Sequence, residues 1–358
     1  MSDWKSQWKK IADQVSEQIR TDDFPDRIRP AFLRDAVRAY PCAGGKRLRP
    51  VLVMWSCGLF GGDPEQALPA AAAVEIYHNW TLVHDDIIDC DDLRRGMPTT
   101  HASLRSLARS EYKLKADDAA KFGSDFAILA GDLQQAWDMD SLLRLKENGV
   151  PDSVVLFLAR RMQRDLALDL ISGEAVDVEF GPRGFLKVTE EEVRDMIAGK
   201  TGALLRYCVR AGAAIAKKTP SFDGPDLDLV TGFADALGLA FQLQDDFLGI
   251  FGDEQKFGKP IGSDFQEAKP TLLFLAALRK ADPAQKERLL ALTGLPEYDP
   301  DSIAELRDIL TKTGAADRLR EEIARCSGQA EEFLKKLPDN PYRTYLRELT
   351  AELVNRDV

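Results

Sequence analysis

Apolar residues recur at intervals of three and four along almost the whole chain, and alternating runs rich in Val, Ile and Thr are nearly missing. That is the helical period, and with Ala, Leu, Glu, Arg and Lys dominating it predicts an all-α fold. Helical signals cover residues 67–89, 125–145, 151–172, 189–216, 227–249, 271–280 and 303–336. Thr189 and Glu192 stand in capping-box spacing at the head of one of them. Near the start, Trp4, Trp8, Ile11, Val15 and Ile19 fall on one stripe, so residues 1–24 predict an amphipathic helix that docks on the body of the protein. A membrane-surface helix is the alternative, disfavoured by acids mixed among the lysines of its polar face. Turns are expected at 61–64, 181–184, 219–225 and 296–300. No linker, composition shift or fixed-period repeat divides the chain, which reads as one domain over 1–358.

Two segments, 73–89 and 233–249, are apolar over most of their length, which predicts central, buried helices, yet both carry paired aspartates near their ends. Asp85 and Asp89 are four apart and project from one helical face, with Asp86 just over a quarter of a turn away. Like charges at that spacing repel, and burial adds to the cost, so a cation between them is the physical remedy. Magnesium suits such a place, because it takes one or two carboxylates together with water and phosphate oxygens. Alone, the group also reads as the solvated end of an amphipathic helix. The second pair, Asp245 and Asp246 in "FQLQDDFLGIFGD", favours two carboxylate clusters facing each other across a cavity and sharing a diphosphate through several magnesium ions.

Charge narrows the partners. Acidic side chains number 59 against 48 basic ones, a net charge of -11, which opposes general binding to nucleic acid or to an anionic membrane. Any anion must therefore meet a local basic pocket. "GGKRLRP" sets Lys46, Arg47 and Arg49 behind two glycines that let backbone approach a ligand; it is a phosphate clamp or a solvated basic turn. Arg94 and Arg95 follow Asp89 at five and six residues, and guanidinium forks match phosphate oxygens. Lys200, Lys259 and Lys269, with Thr201 and Gln242, gain meaning if one substrate carries two phosphates, and are otherwise surface groups. His78 lies two turns before Asp85, either lining the same cavity or as a satisfied core histidine. No stretch approaches the ~20 apolar residues of a membrane span. The five scattered cysteines lack zinc or disulfide spacing and read as reduced thiols of a cytoplasmic protein.

Taken in order, "GGKRLRP", "HDDIIDCDDLRRGMPT", "LAGDLQQ", "AGKTGALL", "FQLQDDFLGIFGD" and "GKPIGSDFQEAKPTLL" resemble the trans-type isoprenyl diphosphate synthases, over almost the whole chain. The resemblance implies an all-α bundle of roughly a dozen helices around a deep cavity, a homodimer, and Mg2+-dependent head-to-tail condensation of an allylic diphosphate with isopentenyl diphosphate. By position, Asp85 and Asp89 resemble the first metal-binding pair with Asp86 in support. Asp245 resembles the ligand of the second motif, with Asp246 beside it. Lys46, Arg49, His78 and Arg95 match the isopentenyl diphosphate site; Arg94, Lys200, Thr201, Gln242, Lys259 and Lys269 match contacts to the allylic diphosphate. Two departures stand out. Gly249 holds the place where the second motif often has its last aspartate, with Asp253 in the next turn, and 266–269 reads QEAK where REGK is usual.

Product length in the family follows the floor of the elongation cavity. Below Asp85 a helix places Thr81 and His78, with Trp80 five residues before the first aspartate, where an aromatic blocks growth. Trp80, and the lack of an insertion within "DDIID", imply geranylgeranyl diphosphate, with a farnesyl or somewhat longer product as the alternative. A class I terpene cyclase shares the fold and the first motif but needs no second-substrate site, and a non-catalytic partner subunit is expected to have lost its metal ligands. The intact first motif and "GGKRLRP" argue against both.

Overall fold

The computed structural model describes residues 3–252, 261–295 and 297–354. Helices dominate, in the order α1 (Asp3–Thr21), α2 (Ala31–Cys42), α3 (Leu48–Leu59), α4 (Leu68–Ile88), α5 (Thr100–Ser110), α6 (Ala116–Leu143), α7 (Asp152–Arg161), α8 (Ala167–Arg183), α9 (Glu190–Ile197), α10 (Ala203–Lys217) and α11 (Pro225–Phe251). After them come α12 (Ser263–Gln266), α13 (Leu272–Lys280), α14 (Pro283–Leu292), α15 (Pro300–Lys312), α16 (Ala315–Lys335) and α17 (Pro341–Val354). The one sheet among the described residues is a hairpin of β1 (Leu93–Arg94) and β2 (Met97–Pro98), with Leu93 opposite Pro98 and Arg94 opposite Met97. The all-α reading therefore holds. No described helix is long and apolar enough to cross a membrane.

The helices gather into two compact units. One comprises Met1–Arg161 and Cys208–Asp223. Here α1 buries Trp4, Ile11, Val15 and Ile19 and packs against α2, α3 and α4, so the apolar stripe read from the sequence is a docking face. α4 is buried continuously from Pro69 to Tyr77, a stretch that is apolar but for Glu75. Its partner is α6, and the two approach closely at Gly131, where a Cβ would lie 2.2 Å from Nε2 of His84. Burying a large apolar side chain contributes about 1.5–3 kcal/mol, so this seam of tightly packed residues is a main source of the unit's stability.

The other unit comprises Met162–Tyr207 and Gly224–Val358, with α11 packed along α16. Leu243, Phe247 and Ile250 of α11 join Leu272 and Phe274 of α13 and Leu319 and Ile323 of α16 in its core. The predicted capping box at the start of α9 is present, Thr189 Oγ accepting from the Glu192 amide at 3.2 Å and Glu192 accepting from the Thr189 amide at 2.8 Å.

Several boundaries differ from the pattern. The signal over 303–336 is two helices, because Gly314 takes a φ of 73° and starts α16 afresh. The expected turn at 181–184 is the end of α8, which runs through Gly181 and Pro182 and stops at Gly184, φ 84°. α6 begins nine residues before the 125–145 signal. Two π-helical turns, Met162–Leu166 and Ala198–Gly202, interrupt what the period reads as continuous helix, and the second carries Lys200 and Thr201.

Candidate active site

In the first unit the site grows from the end of α4. Asp89 caps the helix, its amide donating to the Asp85 carbonyl at 2.8 Å, so Asp85 and Asp89 do lie one turn apart, both partly exposed. Asp86 is different. Its side chain is 1% exposed against 20% for Asp85. One oxygen accepts from the Tyr40 hydroxyl, the other from Arg94 Nε at 2.7 Å. Burial first, then the hydrogen bond and charge of Asp86, push the Tyr40 hydroxyl up, so it stays protonated and donates. Arg94 also reaches Asp85 at 3.4 Å. Asp86 thus anchors the helix end, while Asp85 and Asp89 remain partly exposed.

The aspartates and arginines crowded into this stretch are brought together by local structure. Past Cys90 the chain turns back in the hairpin, with Arg95 (φ 53°) and Gly96 (φ 74°) at its two-residue tip. Both left-handed positions are what a type I′ turn requires. Asp92, beyond the helix, pairs with Arg105 at 2.8 Å. The hairpin thereby returns Arg94 to Asp86 and leaves Arg95 exposed.

A basic cluster stands beside it. A Cβ on Gly45 would lie 3.3 Å from an Arg95 guanidinium nitrogen, so the "GGK" turn and Arg95 are neighbours. Removal from water, then the charges of Arg49, Arg94, Arg95 and Arg47, hold His78 well below its ordinary value, which leaves it neutral at pH 7. Lys46 is exposed and Arg49 partly so. Arg47, grouped with them by sequence, is turned inward: 1% of its side chain is exposed, and it pairs with Glu75 at 2.7 Å and donates to the Pro41 carbonyl at 2.8 Å. Arg49 and Arg95 are therefore gathered about His78, with the glycine turn that leads to Lys46 beside Arg95, whereas Arg47 is part of the scaffold.

In the second unit, Asp245 and Asp246 lie near the end of α11. Gln242, one turn before, donates to Asp246 at 2.9 Å and accepts from Thr201 Oγ at 3.1 Å, so two predicted contacts touch each other. Lys200 lies between Glu174 at 2.8 Å and Asp177 at 2.7 Å. α8 brings those carboxylates in through Gly173, where a Cβ would meet the Lys200 amide at 2.3 Å. Burial first, then the charges of Asp264, Asp245 and Asp177, raise Asp246 well above the ordinary carboxylate range. Asp264 has an oxygen 3.6 Å from where a Gly249 side chain would begin. Lys269 pairs with Glu267 at 2.5 Å. Lys259 and Asp253 lie outside the described residues. Trp80, 6% exposed, meets the Tyr77 ring edge-on at 4.8 Å and His84 at 5.9 Å, and Thr81 Oγ donates to the His78 carbonyl.

In the first unit Asp85 and Asp89 present carboxylate oxygens, and in the second Asp245 does so beside the charge crowded about Asp246; each is a donor chemistry that fits a hard cation such as magnesium. Among the described residues no group of three or more histidine, cysteine, aspartate or glutamate side chains is placed to hold a metal ion. The residues missed by sequence reasoning are Tyr40, 46 positions from its partner Asp86, and Glu174, Asp177 and Asp264. Glu174 and Asp177 fall just past residue 172, where the helical signal was cut short, so following the period further finds them.

A family model described as polyprenyl synthetase matches residues 30–311. The chain is 37% identical over 303 residues to the short chain isoprenyl diphosphate synthase of Methanocaldococcus jannaschii, covering 84% of this chain and 82% of the relative. It is 36% identical over 261 residues to the farnesyl diphosphate synthase of Geobacillus stearothermophilus, covering 70% and 78%. Among solved structures, the geranylgeranyl pyrophosphate synthetase from Pyrococcus horikoshii superposes with a TM-score of 0.83 at 33% identity, over 99% of this chain and 98% of that one.

Proposed function

The chain belongs to the polyprenyl synthetase family, and on that premise we propose that it is a Mg2+-dependent trans-prenyltransferase that joins isopentenyl diphosphate head-to-tail to an allylic diphosphate. The observation that carries this reading is the cluster of Arg49, Arg95 and neutral His78 beside the glycine turn of Lys46, in the same unit as the partly exposed Asp85 and Asp89. A diphosphate needs such cations, and a protein of net charge -11 offers them locally.

In this reading Lys46, Arg49, His78 and Arg95 hold the diphosphate of the isopentenyl substrate. Arg94, Lys200, Thr201, Gln242 and Lys269, with Lys259, hold that of the allylic substrate. Asp85, Asp89 and Asp245 hold magnesium, which when bound supplies positive charge to the departing diphosphate. Lys200 and Arg94 add fixed cations as the carbon–oxygen bond breaks. The isopentenyl double bond attacks the allylic carbon, and a proton then leaves the new carbon skeleton. The ring of Trp80, wedged against Tyr77, acts as the floor that limits growth, which supports geranylgeranyl diphosphate as the product. Two copies assemble in solution; Ile128, Leu129 and Leu143, each exposed along α6, support an apolar pairing face. Incubation with magnesium, radiolabelled isopentenyl diphosphate and dimethylallyl, geranyl or farnesyl diphosphate tests the reading. A twenty-carbon product is expected; absence of product with every starter refutes it.

A further inference from the structure

Three of the four residues 44–47 hold backbone conformations that side chains rarely adopt: Gly44 (φ 84°), Gly45 (φ 141°) and Arg47 (φ 51°). A non-glycine residue in the left-handed region is strained and persists only where its surroundings over-determine it. The surroundings here are identifiable. Glu75 and the Pro41 carbonyl hold the Arg47 guanidinium from α4 and α2. The rest comes from α1: Ser16 Oγ accepts from Arg47 Nε at 3.2 Å, and the indole N–H of Trp8 donates to the Lys46 carbonyl at 2.5 Å. That carbonyl belongs to the peptide joining Lys46 to Arg47, so its orientation fixes both the lysine and the left-handed turn. The Trp8 ring is stacked on Trp4 at 5.9 Å, and Trp4 is itself buried, so the donor is held by packing.

We propose that α1 is a brace for the isopentenyl diphosphate clamp, with Trp8 a positioning residue that sets Lys46 toward the diphosphate through its main chain and Ser16 a second support through Arg47. The inference rests on the assignment of Lys46 to that substrate. Trp8 is only half-buried, yet the single polar atom of its side chain is spent on the turn that carries Lys46.

Trp8→Phe removes the N–H and keeps a ring against Trp4. Steady-state kinetics should show KM for isopentenyl diphosphate raised about fivefold, the equivalent of one hydrogen bond of about 1 kcal/mol. KM for the allylic diphosphate and Tm should be nearly unchanged. Ser16→Ala should move the same KM in the same direction, and by less. Equal changes in both KM values, or a loss that follows Tm alone, would mean a merely structural role and overturn the proposal, as would an unchanged isopentenyl KM. Calorimetry with inorganic diphosphate reads the clamp without catalysis. A wild-type protein that binds diphosphate but makes no product sinks the synthase reading, and the brace then stands or falls on whether Trp8→Phe weakens diphosphate binding about fivefold.

Discussion

Replacing Glu75 with leucine separates what the buried ion pair does for stability from what it does for the site. The Arg47 and Glu75 side chains are 1% and 9% exposed and 2.7 Å apart. Removing one partner leaves a guanidinium buried without a counter-charge, a loss of about 3–5 kcal/mol. Two hydrogen bonds remain, to the Pro41 carbonyl at 2.8 Å and to Ser16 at 3.2 Å, so the lower end of that range applies. At roughly 2–4 °C per kcal/mol for a body of this size, Tm falls by about 6–12 °C. Combining Glu75→Leu with Arg47→Met removes both charges, and most of the stability returns, because the desolvation of both ions disappears with their attraction. The turn, however, loses the guanidinium that tied it to α2 and α1, so KM for isopentenyl diphosphate remains raised in the double variant. Thermal melts by circular dichroism on the wild type, both single variants and the double variant, with KM for each active protein, complete the cycle. A Glu75→Leu protein within 2 °C of wild type, or a double variant less stable than either single one, would refute the reasoning.

Asp138 is fully buried on α6, with no hydrogen-bond partner for either oxygen among the described residues, and burial raises its pKa well above the ordinary carboxylate range. A raised folded pKa means the native state holds the proton more tightly, so the contribution is greatest below the unfolded value of about 4 and is lost as pH rises toward the folded one. Asp138→Leu should therefore raise Tm at pH 8 by more than at pH 4; an equal change at both would place the carboxylate in a satisfied environment. Trp80→Ala should lengthen the product by one or more five-carbon units, read by chromatography of the dephosphorylated alcohols, and unchanged length would move the floor elsewhere. Leu129→Glu, on the exposed face of α6, should shift the sedimenting species from two chains to one, and wild type sedimenting as a single chain would remove that pairing face.

How far the sequence could be read depends on the range of each interaction. Helical period, the docking stripe of α1 and the Thr189 capping box are set by residues within a few positions of one another, and all are present in the structure. The two acidic helix ends were legible for the same reason. The separation of Asp86 from Asp85 was not, because it depends on Tyr40, 46 residues away, and on a hairpin that folds Arg94 back. Arg47 looked like a third clamp residue until Glu75, 28 residues on, turned it inward. The π-helical turn carrying Lys200 adds a residue to one turn, but the residues after it, Ala203, Leu204 and Leu205, are all buried, so the apolar pattern there marks no change of phase.

The central claim, that two diphosphates are condensed, is tested most directly by following inorganic diphosphate release with magnesium and geranyl diphosphate, with and without isopentenyl diphosphate. The account predicts release only when both are present, one diphosphate for each new carbon–carbon bond, and near-complete loss in Asp85→Asn. Release from geranyl diphosphate alone would make the chain a cyclase or a hydrolase, and no release under either condition would contradict the claim outright.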